Sequence, residues 1–553
     1  MSTLATLEQA VERHVQPGDA VHVIMGHSRW TALVRELARQ HWQRDSGLTL
    51  IMASLSSLGT LLFRAGCLRH VVTAYSGDSF PTYTPNPVYQ QAYRSGKVTV
   101  EHWSFLAYVQ RLSAAAQGLP AAVTGSIVGS SMAANDAYTE VDTDHGRVSL
   151  LAPLVPDVTL VHAAVADRDG NLAMAPPLLE GVAGAWAARR GVVATVDSVV
   201  DDLRDWNGLV RIPAHRVLAF VEAPFGAHPG GLWAGGLPVA SYGEDIPFWT
   251  DARDATRSDH LDDWIREWCL DLDSHRAYLD KLGPMHLEAL RARANPDSWR
   301  LDDHAFPIDE DPPVTDAERM AAWAAAELAD RVAAIDAHAV LAGAGLANLA
   351  AWYGVQLARD AGRTVSLVAE LGMWDYAPTP ADPFIFNFRS FPGAGALSDA
   401  AHVLGTVIGG PATRTVGCVG AAQFDRHGNL NSTDIVGGPF LVGSGGGNDV
   451  VTRADETIVV APMDRGVDQV GYVTGPGERV TAVVTDLGIL SRRAHRFVLT
   501  HVPPGDLDDA VQRARGACGW DLEVADDPTT LPDVTTADVR PLRNWDRRGF
   551  FLD

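Results

Sequence analysis

The stretch 158-VTLVHAAVADRDGNLA-173 decides the fold. Its first part, 158-VTLVHAAV-165, is almost entirely apolar. A strand with one wet face would alternate, so this one is read as covered on both faces. Asp167, Arg168, Gly170, Asn171 and Leu172 follow it. Asp, Gly and Asn in that order supply side-chain capping and a positive φ, the chemistry of a tight turn. The same letters return after a second apolar strand, 415-TVGCVGA-421. There 422-AQFDRHGNLN-431 gives Asp425, Arg426, Gly428, Asn429 and Leu430. Five matched positions after a strand in each half point to duplication.

Other elements extend the pattern outward. Strands are predicted at 20-AVHVIM-25, 48-LTLIMAS-54, 70-HVVTAY-75, 149-SLLAPL-154, 191-GVVATV-196 and 216-RVLAFVEAP-224. An amphipathic helix is predicted at 30-WTALVRELARQHW-42. The second half restarts with a helix near 315-TDAERMAAWAAAELADRV-332. Strands follow at 338-HAVLAG-343, 365-VSLVAE-370, 457-TIVVAP-462 and 480-VTAVVTDL-487. Apolar strands alternating with helices predict an α/β fold, with two related open-sheet domains. The domains are read as 1–290 and 317–553. The polar, proline-bearing segment 291–316 is read as an aperiodic connection.

Bulk composition limits the function. A chain of 553 residues exceeds one ordinary core. Its net charge of −24 argues against nucleic acid, which requires clustered Lys and Arg. The four cysteines are widely spaced and form no CxxC pair, so no metal site or disulfide framework is expected. They are read as reduced core thiols of a cytoplasmic chain. No signal peptide and no membrane span are expected.

Chemistry is sought where carboxylates meet glycines. In 363-RTVSLVAELGMWDYAP-378 an apolar run ends in Glu370, with Gly372 two residues on. The bland reading is a strand-end acid facing water. The carboxyl end of an α/β strand is, however, where ligands bind, and a buried acid needs a specific recipient. A second element, 437-GGPFLVGSGGGNDV-450, holds Gly445, Gly446 and Gly447 between apolar flanks. Its amides are oxyanion candidates. The segment 341-LAGAGLANLAAW-352 has Asn348 where a dinucleotide fingerprint needs its third glycine, so a dinucleotide site is not favoured. A carboxylate facing backbone amides suits covalent catalysis on an acyl group. No G-x-S-x-G appears.

These residues resemble the family I CoA-transferases, closest to the glutaconate CoA-transferase branch with α and β subunits fused. The resemblance rests on 76-SGDSFPTYTPNPVYQQAYRSGKVTVEHWS-104, 115-AAQGLPAAVTGSIVGSSM-132, 211-RIPAHRVLAFVEAPFGAHPGGL-232, 421-AAQFDRHGNLNST-433, 483-VVTDLGIL-490 and 500-THVPPGDLDDAVQRARGACGWDL-522. It departs from the family at 25-MGHSRW-30 and at Leu371, where relatives carry E-N-G or E-S-G. The resemblance implies the CoA-transferase (NagB/RpiA-like) fold. It implies a ping-pong transfer of coenzyme A from an acyl-CoA to a carboxylic acid, through a glutamyl-CoA thioester on Glu370. Gly445, Gly446, Gly447 and Gly372 would line the oxyanion or CoA site, and Gln423 and Asn348 would orient the carboxylate or acyl group. No metal and no permanently bound cofactor are implied, since CoA is substrate and product. Partners are the small-molecule acyl-CoA and acid, and the fused chain would be a homodimer. Relatives of the same fold instead hydrolyse CoA thioesters or open the ring of a cyclic-ketone acyl-CoA, with a glutamate of the α half. Glu101 in 98-VTVEHWS-104 is the candidate for that alternative. A strand-orienting role is its bland reading, and His102 beside it is read as a surface or packing histidine. A scaffold that binds CoA esters without turnover is a third reading.

Overall fold

The computed structural model describes residues 3–25, 31–308, 312–386 and 388–553. The atypical stretch 26–30 lies outside them. Two ten-stranded sheets organise the chain. In the first, β1 (Ala20–Val23), β2 (Leu48–Ile51), β3 (Leu68–Thr73), β4 (Thr99–His102), β5 (Val158–Asp167), β6 (Gly191–Val200) and β7 (Val217–Glu222) form the order β7-β6-β5-β1-β2-β3-β4. All these neighbours pair in parallel. Every residue of β5 is buried, which explains the unbroken apolar run that announced it.

The second sheet is built from β8 (Ala339–Ala342), β9 (Ser366–Ala369), β10 (Thr415–Gly420), β11 (Glu456–Val460) and β12 (Val480–Thr485). Their order is β9-β8-β10-β11-β12, again all parallel. Aligned on the repeated turns, β5 corresponds to β10. The order β2-β1-β5-β6-β7 then superposes on β9-β8-β10-β11-β12 strand for strand. Beyond β12 the second sheet grows by antiparallel Gly488–Arg493 and Arg496–Val502 and by Val524–Thr530.

The two turns match bond for bond. Asn171 donates its backbone and side-chain N–H groups to Asp167 at 2.8 and 2.7 Å. Asn429 does the same to Asp425 at 3.0 and 3.1 Å. Gly170 and Gly428 take φ of 92° and 81°, which an L side chain rarely tolerates. The side-chain oxygen of each Asn then accepts from the chain just before β7 or β12, from Ala214 N–H at 2.9 Å and from Gly477 N–H at 3.0 Å.

Two expectations need correction. The predicted strand 149–154 is Gly146–Leu151, in a separate antiparallel sheet with Tyr138–Thr143 and Ala122–Thr124. One edge of that sheet is largely exposed, so it takes no part in the covered parallel sheet. The segment 291–316 is not aperiodic. Helix Pro284–Arg293 runs into it, and Trp299–Ala305 is helical. Asp302 in that helix pairs with buried Arg389 of the second half at 3.3 Å, so the connection is packed down. The apolar core is continuous across the halves; Phe80 and Phe384 meet with ring centroids 4.8 Å apart. Among the described residues no helix is long and apolar enough to cross a membrane.

Candidate active site

β9 stops at Ala369, and Glu370, Leu371 and Gly372 form the turn of a tight hairpin whose return strand is Met373–Trp374. Gly372 closes it, donating its N–H to Ala369 O at 3.1 Å with φ of 116°. A side chain at 372 would meet the Ser398 carbonyl at 2.5 Å. The space beside Gly372 is thus filled by backbone, and this glycine is needed for the turn and its packing. Leu371 is buried. Its carbonyl accepts from Leu179 N–H of the first half at 3.1 Å, and Leu178 donates to Ser398 at 2.8 Å. The hairpin carrying Glu370 is therefore fastened to the other half of the molecule by backbone bonds.

The glycine-rich loop approaches from the other side. Gly446 caps a short helix, Gly447–Arg453. A Cβ on Gly446 would overlap Oε2 of Glu370, so the carboxylate rests where any other residue would put its side chain. The Gly446 amide acts on that carboxylate, opposing the rise of its pKa. The neighbouring amides are already committed: Gly445 N–H to Ala74 O and Gly447 N–H to Ser444 O, both at 2.9 Å. Of the three glycines expected to offer amides, Gly446 is the one whose N–H faces the acid.

This loop is anchored rather than loose. Phe105 N–H donates to Gly445 O at 2.9 Å, and Ser76 N–H to Val442 O at 2.6 Å. Asn448 Oδ1 accepts from Ile127 N–H at 2.8 Å. Asp449 accepts from Ser104 Oγ at 2.6 Å and Leu106 N–H at 2.9 Å. It thereby helps to cap the first-half helix Phe105–Ala116, whose N-cap is Ser104. The loop of one half and the strand ends of the other build one site between them, and sequence reading did not find Asp449 or Ser104. Their pairing spans more than 300 residues of chain, and each alone is an ordinary capping residue.

Burial sets the electrostatics. Glu370 is only partly accessible. Burial first, and then the Asp449 carboxylate, push its pKa up to about 7, against the Gly446 N–H. Burial likewise lifts Asp449 to about 6. Glu101 is different. Burial would raise it too, but His70, Arg111 and Trp103 hold it down at about 2. Its Oε1 accepts from Arg111 at 2.5 Å and from the Trp103 indole at 2.6 Å. His102 is buried, stacked on Phe440 with centroids 4.8 Å apart, a packing histidine held at about 3 by burial. Asn348 is fully buried and donates to Pro383 O at 2.9 Å. Gln423 Oε1 accepts from Asn431 at 2.9 Å, bracing the repeated turn. Neither is held by a bond to Glu370 or to the glycine loop.

The comparisons with known proteins agree with this architecture. Residues 4–223 match the family described as coenzyme A transferase. One of the two subunits of the 3-oxoadipate CoA-transferase of Pseudomonas knackmussii is 31% identical over 241 residues, covering 41% of this chain and 82% of that protein. The glutaconate CoA-transferase of Acidaminococcus fermentans matches through both of its subunits. The first is 27% identical over 53% of this chain and 95% of its own length; the second is 26% identical over 29% and 68%. An acyl-CoA transferase from E. coli O157:H7, solved as a thioester complex with CoA, has the same fold with a TM-score of 0.65. It is 15% identical and covers 96% of this chain and 95% of its own. One chain here carries segments similar to both halves of two-subunit enzymes, and it belongs to the coenzyme A transferase family, as an enzyme of the transferase class.

Proposed function

We propose that the protein transfers coenzyme A from an acyl-CoA to a free carboxylic acid by a ping-pong route through Glu370. The observation that carries this reading is the contact of the Glu370 carboxylate with Gly446. A nucleophile and a backbone N–H donor share a site from which a side chain is excluded. In the first step a Glu370 oxygen attacks the thioester carbonyl. The C–S bond breaks, CoA leaves as the thiolate, and an acyl–glutamyl anhydride forms. The thiolate then attacks the glutamyl carbonyl, releasing the donor acid as its carboxylate and leaving CoA as a thioester on Glu370. The acceptor carboxylate repeats both steps in reverse order and restores Glu370. Each attack develops an oxyanion, and in this reading the Gly446 N–H stabilises it.

Burial is consistent with these roles. A carboxylate with its pKa raised to about 7 is more basic than an ordinary one, and a partly desolvated anion is a better nucleophile. Glu101 serves as structure in this reading, locked by Arg111 and Trp103. Asn348 and Gln423 act as braces and Gly372 as the hairpin pivot. From the resemblance alone we also assign assembly as a homodimer in the cytoplasm.

Release of CoA tests the reading. Mixed with an acyl-CoA and the labelled free acid of the same acyl group, the enzyme should exchange label into the acyl-CoA pool without net hydrolysis. Initial rates against both substrates should give parallel double-reciprocal lines. Steady release of free CoA without acceptor, unchanged by Glu370→Ala, would instead favour a thioester hydrolase.

A further inference from the structure

The sequence 224-PFGAHPGG-231 leads to a cluster that the transferase site does not use. His228 is fully buried in the first half. Its Nε2 lies 2.9 Å from Oδ2 of Asp245. The same Oδ2 lies 2.5 Å from Nε2 of His286, whose side chain is 41% exposed. Among the described residues this is the group whose nitrogen and carboxylate atoms converge, all within 4.8 Å of one another. We propose that His228, Asp245 and His286 form a binding site for one divalent transition-metal ion of the zinc type.

The donor set selects the metal class. Two imidazoles and one carboxylate suit zinc and its borderline neighbours, whereas calcium and magnesium require oxygen ligands. Arg35 lies over the Tyr278 ring, 3.5 Å from its centroid, beside the cluster. A positive neighbour disfavours a purely electrostatic cation site and leaves one held by coordinate bonds. Three protein ligands leave a fourth tetrahedral position, and the exposure of His286 gives an ion a way in from solvent.

The surrounding groups are arranged for the exchange. Asp245 uses Oδ1 to accept from Phe248 N–H at 3.1 Å, capping the helix Ile246–Thr256, which leaves Oδ2 to the histidines. Tyr278 Oη is 2.6 Å from His228 Nδ1. With Asp245 ionised, both Nε2 atoms carry the protons of the present bonds. On metal binding each ring changes tautomer, giving its Nε2 lone pair to the metal. The His228 proton moves to Nδ1, facing Tyr278, and that of His286 to a ring nitrogen reaching solvent. No proton is lost overall. A hydrogen bond on the far ring nitrogen, such as the one from His228 to Tyr278, fixes ring orientation in metal sites. Zinc bonds of roughly 2.1 Å set the ligand atoms about 3.4 Å apart, so the two nitrogen–oxygen pairs, now at 2.9 and 2.5 Å, must open to admit the ion.

Backbone bonds already hold the three segments together. Asp245 N–H donates to Pro229 O at 2.8 Å, and Gly243 N–H to Leu290 O at 2.7 Å. His286 lies on the helix Pro284–Arg293 that leads toward the second half, so a bound ion would staple this helix to the first half.

Full-length protein, stripped with a chelator and dialysed, is titrated with Co(II) and then Zn(II). One equivalent should bind per chain, with the visible bands of tetrahedral Co(II) bleached by Zn(II), and Zn(II) should raise Tm. His286→Ala removes a partly exposed ring and should weaken binding at least about 100-fold, abolishing the Tm shift. Asp245→Asn keeps the capping oxygen and should act in the same direction. Absence of saturable binding at one equivalent, or equal affinity in folded His286→Ala, would overturn the proposal.

Discussion

Glu101 and Glu370 are both acids close to the end of a strand, one in each half, and burial pushes both pKa values upward. Their neighbours send them opposite ways. Around Glu101 the protein supplies a guanidinium, an indole N–H and an imidazole, and the group stays ionised down to about 2. Around Glu370 it supplies a glycine amide and another carboxylate, and the group titrates at about 7. An acid whose charge is neutralised by three donors has little reason to form a bond with an electrophile. One left short of donors in a partly closed site does. On the proposed function, what separates a structural from a reactive carboxylate is the set of donors around it, since strand position and burial are shared.

The largest expected effect breaks the comparison directly. Glu370→Gln should lower kcat by at least about 10⁴-fold, as for loss of a covalent nucleophile. Glu101→Gln should leave kcat within about tenfold and register instead as lost stability. In the wild type, kcat/KM should fall about tenfold per pH unit below about 7, because the reactive form is the carboxylate.

The next contrast lies within the glycine loop. Gly446→Ala forces a methyl group into the Glu370 carboxylate and should cost about 10²–10³-fold in kcat. Gly447→Ala meets open space at a helix start and should stay within about twofold. Equal losses at both positions would mean that the loop acts through flexibility and not through contact with Glu370.

Stability should move in opposite directions with pH. Glu101 has a depressed pKa, so its contribution is present above the unfolded value near 4.5 and is lost as pH falls toward about 2. Glu370 has a raised pKa, so the native state loses stability as pH climbs from about 4.5 to about 7. Glu370→Gln should therefore stabilise the protein by about 3 kcal/mol at pH 8 while leaving it inactive, and by little at pH 4. Denaturant titrations at the two pH values check this.

The smallest effect sharpens the electrostatic origin. Asp449→Asn removes a charge that raises Glu370, so the acid limb of the activity profile should shift to lower pH. The same change weakens the cap on Phe105–Ala116 and should cost about 1 kcal/mol of stability.

Legibility in the sequence followed the range of the interaction. Buried parallel strands are unbroken apolar runs, so β5, β6, β10 and β12 could be read directly. The repeated D-R-x-G-N-L turn is held by local Asp–Asn bonds, and the duplication it implied is present bond for bond. Glu370 stood out because an acid ends an apolar run. The partners that define its chemistry did not stand out. Gly446 was one of three adjacent glycines, and which amide is left over depends on Ala74 O and Ser444 O, one from the other half. Asp449 looked like part of a loop until Ser104 and Leu106 were brought to it. Gly372 is expected from the resemblance to line the oxyanion or CoA site, and the space beside it is taken by Ser398. The connecting segment looked aperiodic because its helices are short and largely solvated, and its anchor, Arg389, lies in the other half.

The most direct test is to locate the CoA. The enzyme is mixed with an acyl-CoA in the absence of acceptor, reduced with borohydride or treated with hydroxylamine, digested, and mapped by mass spectrometry. Before trapping, the intact chain should gain the mass of one CoA joined as a thioester. After trapping, the altered side chain should be Glu370, with none in Glu370→Gln and an undiminished yield in Glu101→Gln. An adduct on any other residue, or transfer at the wild-type rate by Glu370→Gln, would contradict the assignment of Glu370 as the group that carries CoA.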